Sequence, residues 1–419
     1  MTPNSTALTL LTFSIRGGSS VYDAIIIGAR CAGSPLGMLL ARKGYRVLLV
    51  DRAAFPSDTI SSHIIHLPGV VRLKRWGLLD RLRITGCPPV RRIRFDPGPF
   101  VLTGTPPPID GVEESYCPRR TVLDKLLLDA AIEAGCEMRE RFTVRELLDG
   151  NRRVIGIRGQ ADGGSMIEER AKIVVGADGA QSIVARTTNP VEYDTYPTRT
   201  CYYLNYWEVS DIDYLGLSTR DRLGFFYGPT HNGMVVLVVG WPADQFERVR
   251  ADVEGNYMKA LETVPDLHNR VVSARRKERF VGMLEPPNYF RKPYGDGWAL
   301  VGDAGYHKDA YTGQGIADAF RDADGLADAI DAGFSGRMQL EEAMAIYERS
   351  RNESAKGLYQ YTCELAKMDE PSELIRQLFG ALRGNQADTD RFFGAFVGTV
   401  PVNEFYAPAN IDRIIAKNP

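Results

Sequence analysis

The stretch Tyr22-Asp-Ala-Ile-Ile-Ile-Gly-Ala-Arg-Cys-Ala-Gly33 decides the fold of this chain. It opens with a continuous apolar run, typical of a strand buried in a parallel sheet, and ends in a glycine-containing turn. A helical pattern follows at residues 34–44, where Pro35 is tolerated because it falls in the first turn. A second apolar run at residues 45–50 ends at Asp51. This order predicts a βαβ unit with an acidic residue at the tip of its second strand.

Such a unit can hold the ADP part of a dinucleotide. Gly28 allows the sharp turn, Gly33 lets the helix and strand pack closely, and the helix N-terminus attracts the pyrophosphate. Asp51 can accept hydrogen bonds from the adenosine ribose. Arg30 replaces the middle glycine of the usual G-x-G-x-x-G pattern. An incidental glycine turn in another α/β unit is therefore the alternative interpretation.

Two later segments repeat the pattern of an apolar strand that ends in a polar turn. The first spans residues 173–182 and contains Asp178-Gly179, and the second spans residues 298–305 and contains Gly302-Asp303. A glycine-rich helix start follows at Thr312-Gly-Gln-Gly315. The backbone N–H groups of such a start are suited to stabilise negative charge.

Composition limits the class of protein. The 419 residues are 44% hydrophobic and 25% charged, which is typical of a globular protein, and the net charge of -2 favours neither a nucleic-acid nor an anionic-membrane partner. The six scattered cysteines form no CxxC pair, which indicates a reduced cytoplasmic protein without a metal site. The longest apolar runs are strand-sized, so no membrane span is predicted. Residues 1–20 are predicted to be a disordered extension rather than a signal peptide.

Together the three motifs resemble those of the FAD-dependent group A flavoprotein monooxygenases of the para-hydroxybenzoate hydroxylase type. Relatives of that family include the geranylgeranyl reductases and the flavin halogenases. The resemblance implies an α/β (α+β overall) fold, in which a Rossmann-like FAD-binding domain carries an inserted antiparallel β-sheet and a helical C-terminus. The implied boundaries are residues 21–187 and 288–335 for the FAD-binding domain, 188–287 for the substrate-binding sheet and 336–419 for the helical region.

The resemblance also implies cofactor-binding positions. Asp303 is expected to bind the ribityl chain, and Gly313 and Gly315 to lie near the pyrimidine side of the isoalloxazine. Arg120 matches the family arginine beside the cofactor, although a solvated charge at a helix end is the alternative. Ala310 stands where the family usually has proline, which leaves the contact to a phenolic substrate open. The full implied set is Gly28, Arg30, Cys31, Ala32, Gly33, Asp51, Arg52, Arg120, Val144, Asp178, Gly179, Gly302, Asp303, Gly313 and Gly315.

The middle of the chain changes character. Three aromatic and β-branched segments between residues 201 and 241 predict an antiparallel sheet. By the resemblance this sheet roofs the flavin, and Tyr203, Asn205, Trp207 and Phe225 line a cavity for a flat or lipophilic substrate. The alternative is that these aromatic side chains are core. Residues 340–349 and 374–382 have helix spacing, and the tail at residues 392–401 is expected to close one side of the cavity.

The chemistry that the resemblance implies requires few side chains that act as acids or bases. NADPH or NADH reduces FAD, O2 forms a flavin C4a-hydroperoxide, and the protein positions the substrate and excludes water. His63 and Tyr311 are the candidate catalytic residues, and His63 is a candidate proton relay. His66, His307 and Asp309 are further candidates. A hydrogen-bonded loop histidine without a catalytic role is the alternative for His63 and His66.

The sequence therefore predicts a FAD-dependent monooxygenase of secondary metabolism, which hydroxylates an aromatic or electron-rich small molecule with NAD(P)H and O2. The absence of a second βαβ fingerprint allows transient nicotinamide binding or reduction by a separate flavin reductase. The Ala185-Arg186 spacing favours the alternative, a FAD-dependent reductase that saturates isoprenoid-type double bonds. A halogenase is disfavoured because the sequence lacks the Trp-x-Trp-x-Ile-Pro motif and because Lys74 lies on a helix pattern. A non-enzymatic FAD-binding protein is the remaining alternative.

Overall fold

The structure, a computed structural model, describes residues 21–417, so the extension predicted at residues 1–20 lies outside the described residues. Its first part alternates strands and helices, as the βαβ pattern predicts. These elements are β1 (Tyr22–Ile27), α1 (Gly33–Arg42), β2 (Val47–Val50), α2 (Leu67–Arg75), α3 (Leu79–Ile84), β3 (Pro89–Val90), β4 (Ile93–Asp96), β5 (Leu102–Gly104), β6 (Ser115–Tyr116), α4 (Arg120–Glu133), β7 (Glu137–Arg139), β8 (Phe142–Asp149), β9 (Val154–Ala161), β10 (Ile167–Gly176) and α5 (Ile183–Thr188).

The middle part is rich in strands, in agreement with its aromatic and β-branched composition. Its elements are β11 (Glu192–Tyr196), β12 (Thr200–Trp207), β13 (Leu215–Arg220), β14 (Leu223–Pro229), β15 (Val235–Pro242), α6 (Phe246–Ala251), α7 (Val253–Leu261), α8 (Pro265–Val272) and β16 (Val281–Leu284). All residues of β12 are buried, because both faces of this strand are covered.

The last part returns to the first sheet and then becomes helical. Its elements are β17 (Asn288–Arg291), β18 (Tyr294–Gly295), β19 (Trp298–Leu300), β20 (Tyr306–His307), α9 (Gly315–Phe334), α10 (Leu340–Leu365), α11 (Glu373–Leu382), α12 (Gln386–Val397), α13 (Val402–Phe405) and α14 (Pro408–Lys417). Within residues 21–417, none of the helices combines the length and the apolar character needed to span a membrane.

The first sheet has the strand order β18-β19-β10-β1-β2-β7, and the pairs from β19 to β7 are parallel. The first half of β10 leaves this sheet and pairs with β9, which in turn pairs with β8. The parallel strands place their carboxyl ends, and therefore the turns that follow β1, β10 and β19, at one edge. The predicted α/β fold with a Rossmann-like unit is confirmed.

The second sheet has the order β16-β12-β15-β14-β13-β4-β5. Two of its strands, β4 and β5, come from the segment before residue 188, and β4 joins the sheet through a parallel pair with β13. One face of this sheet packs on α6, α7 and α8. The other face contributes to the main hydrophobic core together with the C-terminal helices. The second sheet is therefore a wall between two apolar layers.

Candidate functional site

The turn between β1 and α1 is one that only glycine fits at its first position. Gly28 has a φ of +103°, and a Cβ there would lie 2.5 Å from the carbonyl oxygen of Ala177. The following helix begins at Gly33 with no side-chain cap and no acidic residue in its first turn. Its N-terminal N–H groups are therefore not capped by a side chain, which suits them to bind an anion such as a pyrophosphate.

Asp51 follows β2 and lies beside this turn. Its carboxylate accepts hydrogen bonds from the backbone N–H groups of Ala29 and Ala53, both at 2.8 Å. The carboxylate fixes the turn, and each of its oxygens keeps a lone pair that a ribose hydroxyl can use. Of the other predicted cofactor residues near this end, Arg52 is exposed and Val144 is half-buried on β8.

A buried carboxylate outside the predicted set holds the predicted arginines in place. Asp124 of α4 accepts hydrogen bonds from Arg30 Nη1 at 2.6 Å and from Arg120 Nε at 3.0 Å. The Cys31 thiol donates to the same carboxylate at 3.3 Å, because burial raises its pKa and keeps it protonated. Asp124 is completely buried. Its i,i+4 spacing from Arg120 was the available signal in the sequence.

The Gly302-Asp303 turn lies against the start of α1. Gly302 has a φ of +61°, and a Cβ there would lie 2.9 Å from the Cβ of Ala32, so the turn packs against the start of α1. The Asp303 side chain is exposed, although the surrounding protein desolvates it enough to raise the pKa of its carboxyl. The Asp303 carboxyl is therefore accessible to a ligand hydroxyl.

The Asp178-Gly179 turn lies against the first glycine turn. A Cβ on Gly28 would lie 2.9 Å from the backbone nitrogen of Asp178. The Asp178 carboxylate accepts a hydrogen bond from the backbone N–H of Ile183 at 2.8 Å, and the residue is exposed. The three motif turns that are far apart in the sequence therefore meet around one cleft.

The start of α9 is a second helix N-terminus open to the cleft. Gly313 ends a short 3-10 turn with a φ of +65°, and the exposed Gly315 opens the helix without a side-chain cap. Asp318 in the first turn is paired with Lys308 and, at 2.7 Å, with Arg321. Since that carboxylate is already neutralised, the positive end of the helix dipole is available to a negative ligand.

His63 is completely buried in the loop between β2 and α2, with a left-handed φ of 64°. Its Nε2 lies 2.5 Å from the Tyr206 hydroxyl oxygen, and the two rings stack with centroids 5.7 Å apart. Burial, reinforced by Arg120 and Arg119, lowers the pKa of His63 well below its ordinary value, so the imidazole is neutral at neutral pH. Its Nδ1 has no hydrogen-bond partner within the described residues.

The same loop is tied to the turn that precedes α9. His66 is buried, and its Nε2 lies 3.0 Å from the backbone carbonyl oxygen of Thr312. Burial lowers the pKa of His66 to about 4, so this ring is also neutral at neutral pH. A Cβ on Gly313 would lie 2.5 Å from a methyl carbon of Ile64. The loop of His63 therefore packs directly on the predicted flavin side of α9.

A cavity of about 140 Å³ lies between the second sheet and the C-terminal helices. Ser62 and the turn at residues 309–311 also line it, so it reaches the loops beside the cleft. Apolar cavities of this size, ~150 Å³, hold one benzene ring. Helix α12 closes one side, as predicted for the tail. The aromatic lining consists of Phe95, Tyr202, Phe225, Phe226, Tyr311, Tyr361, Phe379, Phe392, Phe393 and Phe396.

The predicted substrate residues lie on the face of the second sheet that packs on α6–α8. Phe225 borders the cavity, but its side chain lies in that core, because Phe225 pairs with Val239, which also pairs with Tyr203. Tyr203 and Trp207 belong to the core between the sheet and α6–α8. Asn205 is buried, and its amide donates to a backbone carbonyl at 2.9 Å. Because side chains alternate across a strand, it is the neighbouring Tyr202 that faces the cavity.

The turn at residues 309–312 brings two of the candidate catalytic residues to the cavity. The Tyr311 ring packs on β14, where a Cβ on Gly224 would lie 3.1 Å from its Cε2. Burial and the neighbouring Asp309 raise the pKa of the Tyr311 hydroxyl, which stays protonated and able to donate. Asp309 is buried and accepts a hydrogen bond from the Thr200 hydroxyl at 2.7 Å. The cavity wall thus carries polar groups at its end nearest α9.

The three motif turns and part of the cavity wall lie within the range matched by one protein family. The family model, described as an FAD binding domain, matches residues 21–362. This range includes the three motif turns, α4 and the start of α9.

Curated relatives carry more than one activity in their names. The digeranylgeranylglycerophospholipid reductase of Methanosarcina acetivorans is 27% identical over 351 residues, which are 80% of this chain and 81% of that protein. The 1H-pyrrole-2-carbonyl-(peptidyl-carrier protein) brominase of Pseudoalteromonas luteoviolacea is 23% identical over 336 residues, 75% of this chain and 78% of its own length.

Solved structures share the fold at low sequence identity. The flavin-dependent brominase Bmp2 has a TM-score of 0.79 at 20% identity, over 95% of this chain and 99% of that one. The myxobacterial chondrochloren halogenase CndH has a TM-score of 0.76 at 21% identity, over 95% and 96%. PqsL from Pseudomonas aeruginosa, described as a probable FAD-dependent monooxygenase, has a TM-score of 0.70 at 21% identity, over 90% and 100%.

Proposed function

This chain belongs to the family of oxidoreductases that share an FAD binding domain, and from that premise we propose that it is a FAD-dependent monooxygenase. Its substrate is a small aromatic or otherwise electron-rich molecule, and its co-substrates are NAD(P)H and O2. The observation that carries the proposal is the cavity of about 140 Å³ with aromatic walls, which reaches the turn before α9. That space suits one flat ring or a small fused ring system.

The fit of FAD to the cleft described above is supported by the glycine positions where a Cβ would collide and by the two uncapped helix starts. The start of α1 would hold the pyrophosphate, Asp51 the ribose and Asp303 the ribityl chain. Gly313 and Gly315 would face the isoalloxazine ring, and Arg120 would lie beside the cofactor. When bound, FAD would take electrons from a nicotinamide and transfer one atom of O2 to the substrate.

The residues of this chain position the substrate and exclude water. The phenylalanines on β14 and α12 form apolar walls that keep water from the reacting atoms. The Tyr311 side chain lines the cavity, and its hydroxyl would donate a hydrogen bond to a substrate there. His63 and the Tyr206 hydroxyl share a short hydrogen bond, and the neutral imidazole is the candidate proton relay beside the cavity.

The electron source is NADPH or NADH, bound transiently. A separate flavin reductase is the second route by which electrons can reach FAD. All six cysteines are free thiols in the structure, which supports a place in the reducing cytoplasm. Enzymes that modify aromatic small molecules in this way belong to secondary metabolism, where we place this protein.

One observation favours a second candidate function. The relatives that carry the name digeranylgeranylglycerophospholipid reductase include one that is 27% identical over 80% of this chain. A FAD-dependent reductase that saturates isoprenoid-type double bonds would need no O2. The aromatic walls of the cavity support the monooxygenase instead, because they suit a flat ring better than a flexible prenyl chain.

A purified holoprotein tests the two functions directly. Its oxidation of NADPH and of NADH is followed together with O2 uptake, across a panel of phenols, indoles and prenyl compounds. The monooxygenase predicts substrate-stimulated O2 uptake and incorporation of one labelled oxygen from 18O2 into a ring product. Nicotinamide oxidation that ignores O2, with two hydrogens gained by a prenyl compound, would establish the reductase.

A cavity variant separates true turnover from futile O2 reduction. Phe226→Trp adds a larger ring on the cavity face of β14 and should suppress substrate stimulation while leaving the FAD content unchanged. Asp412→Asn, on an exposed residue of α14, is the control and should behave as the parent protein. Equal substrate stimulation in both variants would mean that the cavity is not the substrate site.

A further inference from the structure

Asp309 is the one carboxylate or cationic side chain that lines the aromatic cavity within the described residues. The remaining polar groups on the wall are hydroxyls of serine, threonine and tyrosine. Asp309 is 1% exposed, so water does not solvate its carboxylate freely. An isolated acid in such a wall must find its hydrogen bonds in the protein or in a ligand.

The Asp309 carboxyl is held rigidly. Its Oδ1 accepts the backbone N–H of Tyr311 at 3.0 Å, and its Oδ2 accepts the Thr200 hydroxyl at 2.7 Å. The Asn288 side chain accepts the backbone N–H of Asp309 at 2.6 Å. These bonds fix the residue at the start of the 3-10 turn. Each carboxyl oxygen keeps a lone pair that a ligand donor can use.

Within residues 21–417, the charges around Asp309 do not include a cation that forms an ion pair with it. Lys308, its neighbour, is committed to Asp318 and to the Tyr306 hydroxyl. Burial and then the nearby Glu285 raise the pKa of Asp309 to about 7, while Thr200, the Tyr311 N–H and His307 oppose that shift. Asp309 in turn raises the pKa of Cys201, Tyr202, Tyr311 and Cys363.

We propose that Asp309 binds the hydroxyl or ring N–H of an uncharged aromatic substrate and accepts its proton, and that the same carboxyl excludes substrates carrying a carboxylate or phosphate in the cavity. This inference rests on the proposed function of the cavity as the substrate site and specifies its substrate class. A phenol or an N–H heterocycle satisfies the free lone pair of Asp309. An anionic substituent would meet a carboxylate in an apolar cavity without any cation on its wall.

The proton moves from the substrate to Asp309 and later returns, so the site needs no other proton donor or acceptor for this transfer. The substrate O–H bond breaks, an O–H bond forms on Asp309, and the electron pair stays on the substrate oxygen as a phenolate. The phenolate ring is richer in electrons and reacts more readily with an electrophilic oxygen. After oxygen transfer, the product oxygen takes the proton back, and Asp309 returns to its ionised form.

Binding without turnover gives the first test. Holoprotein without NAD(P)H is titrated with 2-naphthol, its methyl ether and 2-naphthoic acid, and binding is followed by the flavin absorption spectrum and by calorimetry. A hydrogen bond to an ionised group predicts that the naphthol binds at least about tenfold more tightly than its ether. The naphthoic acid should bind at least about tenfold more weakly than the naphthol.

Variants of Asp309 and its partners give the second test. Asp309→Asn keeps an acceptor for the Tyr311 N–H but cannot take a proton, so the exclusion of naphthoic acid should relax and the naphthol preference should shrink. Asp412→Asn should leave both unchanged. If Asp309→Asn does not fold, Thr200→Val and Glu285→Gln keep the acid and change its surroundings.

The pH dependence of naphthol binding distinguishes a proton acceptor from a structural residue. Thr200→Val removes a bond that stabilises the carboxylate and should move the apparent pKa upward. Glu285→Gln removes a neighbouring negative charge and should move it downward. Equal binding of naphthol and ether, or one pH profile for all variants, overturns the inference. If the preferences appear without substrate-stimulated O2 uptake, the substrate class stands and the monooxygenase proposal fails. Substrate-stimulated O2 uptake without a preference for ligands that donate a hydrogen bond would support the monooxygenase and overturn the proposed role of Asp309.

Discussion

At the scale of single residues, Asp124 shows how one buried carboxylate organises the cofactor cleft. It is completely buried, and its carboxylate accepts hydrogen bonds from Arg30, Arg120 and the Cys31 thiol. A carboxylate in that position is stable only because the two guanidinium groups compensate its charge. The same bonds hold the arginines at the edge of the cleft, where both were predicted to lie near the cofactor.

Replacement of Asp124 by Asn should leave two arginines without their shared counter-charge. We expect a loss of roughly 3–5 kcal/mol in the free energy of unfolding, which is the usual cost of breaking a buried ion pair. FAD retention should fall in parallel. Urea unfolding and the ratio of flavin to protein absorbance measure the two effects.

Asp129→Asn on the same helix is the matched control. Its carboxylate pairs with Lys125 at 2.6 Å on a partly exposed surface. Loss of such a pair should change stability by only about 0.5 kcal/mol. If both variants lose FAD to the same extent, the cleft does not depend on the buried carboxylate.

At the scale of elements, the pleat of β12 assigns neighbouring side chains to different layers. Tyr202 lines the cavity, whereas Tyr203 packs into the core on α6–α8. The pairing of β12 with β15 and β16 fixes this register over the whole strand. A shift by one residue would exchange the two faces.

The same substitution at Tyr202 and at Tyr203 should therefore have different effects, on ligand binding at the first position and on stability at the second. Tyr202→Leu should weaken binding of an aromatic ligand by about fivefold to tenfold, because an aromatic contact of ~1 kcal/mol is lost. Tyr203→Leu should leave that dissociation constant unchanged and reduce stability by roughly 1–3 kcal/mol. Calorimetric titration and urea unfolding measure these quantities. An equal effect of both variants on ligand binding would contradict the assignment of faces.

Helix α10 illustrates a further effect at this scale. The spacing predicts a helix over residues 340–349, but the helix continues to Leu365. Its second half buries Arg351, Ala355 and Tyr359, and Tyr359 packs on Phe290 of β17 with ring centroids 4.7 Å apart. Tertiary packing therefore extends the helix beyond the part with clear amphipathic spacing.

At the scale of the whole molecule, the two sheets share a hydrophobic core. The main cluster joins residues of β1 and α1 to Tyr202, Leu204 and Tyr206 of β12 and to the phenylalanines of α12. The cleft and the cavity thus lie between parts that are stabilised by the same buried surface. Neither part has a separate core of comparable size on the cavity side.

A shared core predicts one cooperative unfolding transition. Far-UV circular dichroism and flavin fluorescence should give the same midpoint on heating, since loss of either sheet disrupts the other. Added FAD should raise the midpoint, with a stabilisation of about 2.7 kcal/mol at one hundred times its dissociation constant. Two separated transitions, only one of them sensitive to FAD, would show that the sheets unfold independently.

The sequence by itself determined the cofactor end of this protein. The first glycine turn, Asp51 and the Gly302-Asp303 turn could be predicted because local backbone geometry within a short contiguous stretch defines each of them. The aromatic strands and the closing tail could also be predicted, because their composition indicates that their side chains are buried. Burial alone, however, does not say which layer a side chain enters.

Only tertiary packing determines which side chains lie in the same layer and which polar or charged groups pair. The face of β12 that meets the cavity depends on strands far away in the chain, and so Tyr202 takes the place expected for Tyr203. The shared role of Asp124 and the pairing of His63 with Tyr206 join residues separated by 94 and 143 positions. No local pattern encodes such contacts, because their energy arises only when distant segments pack together.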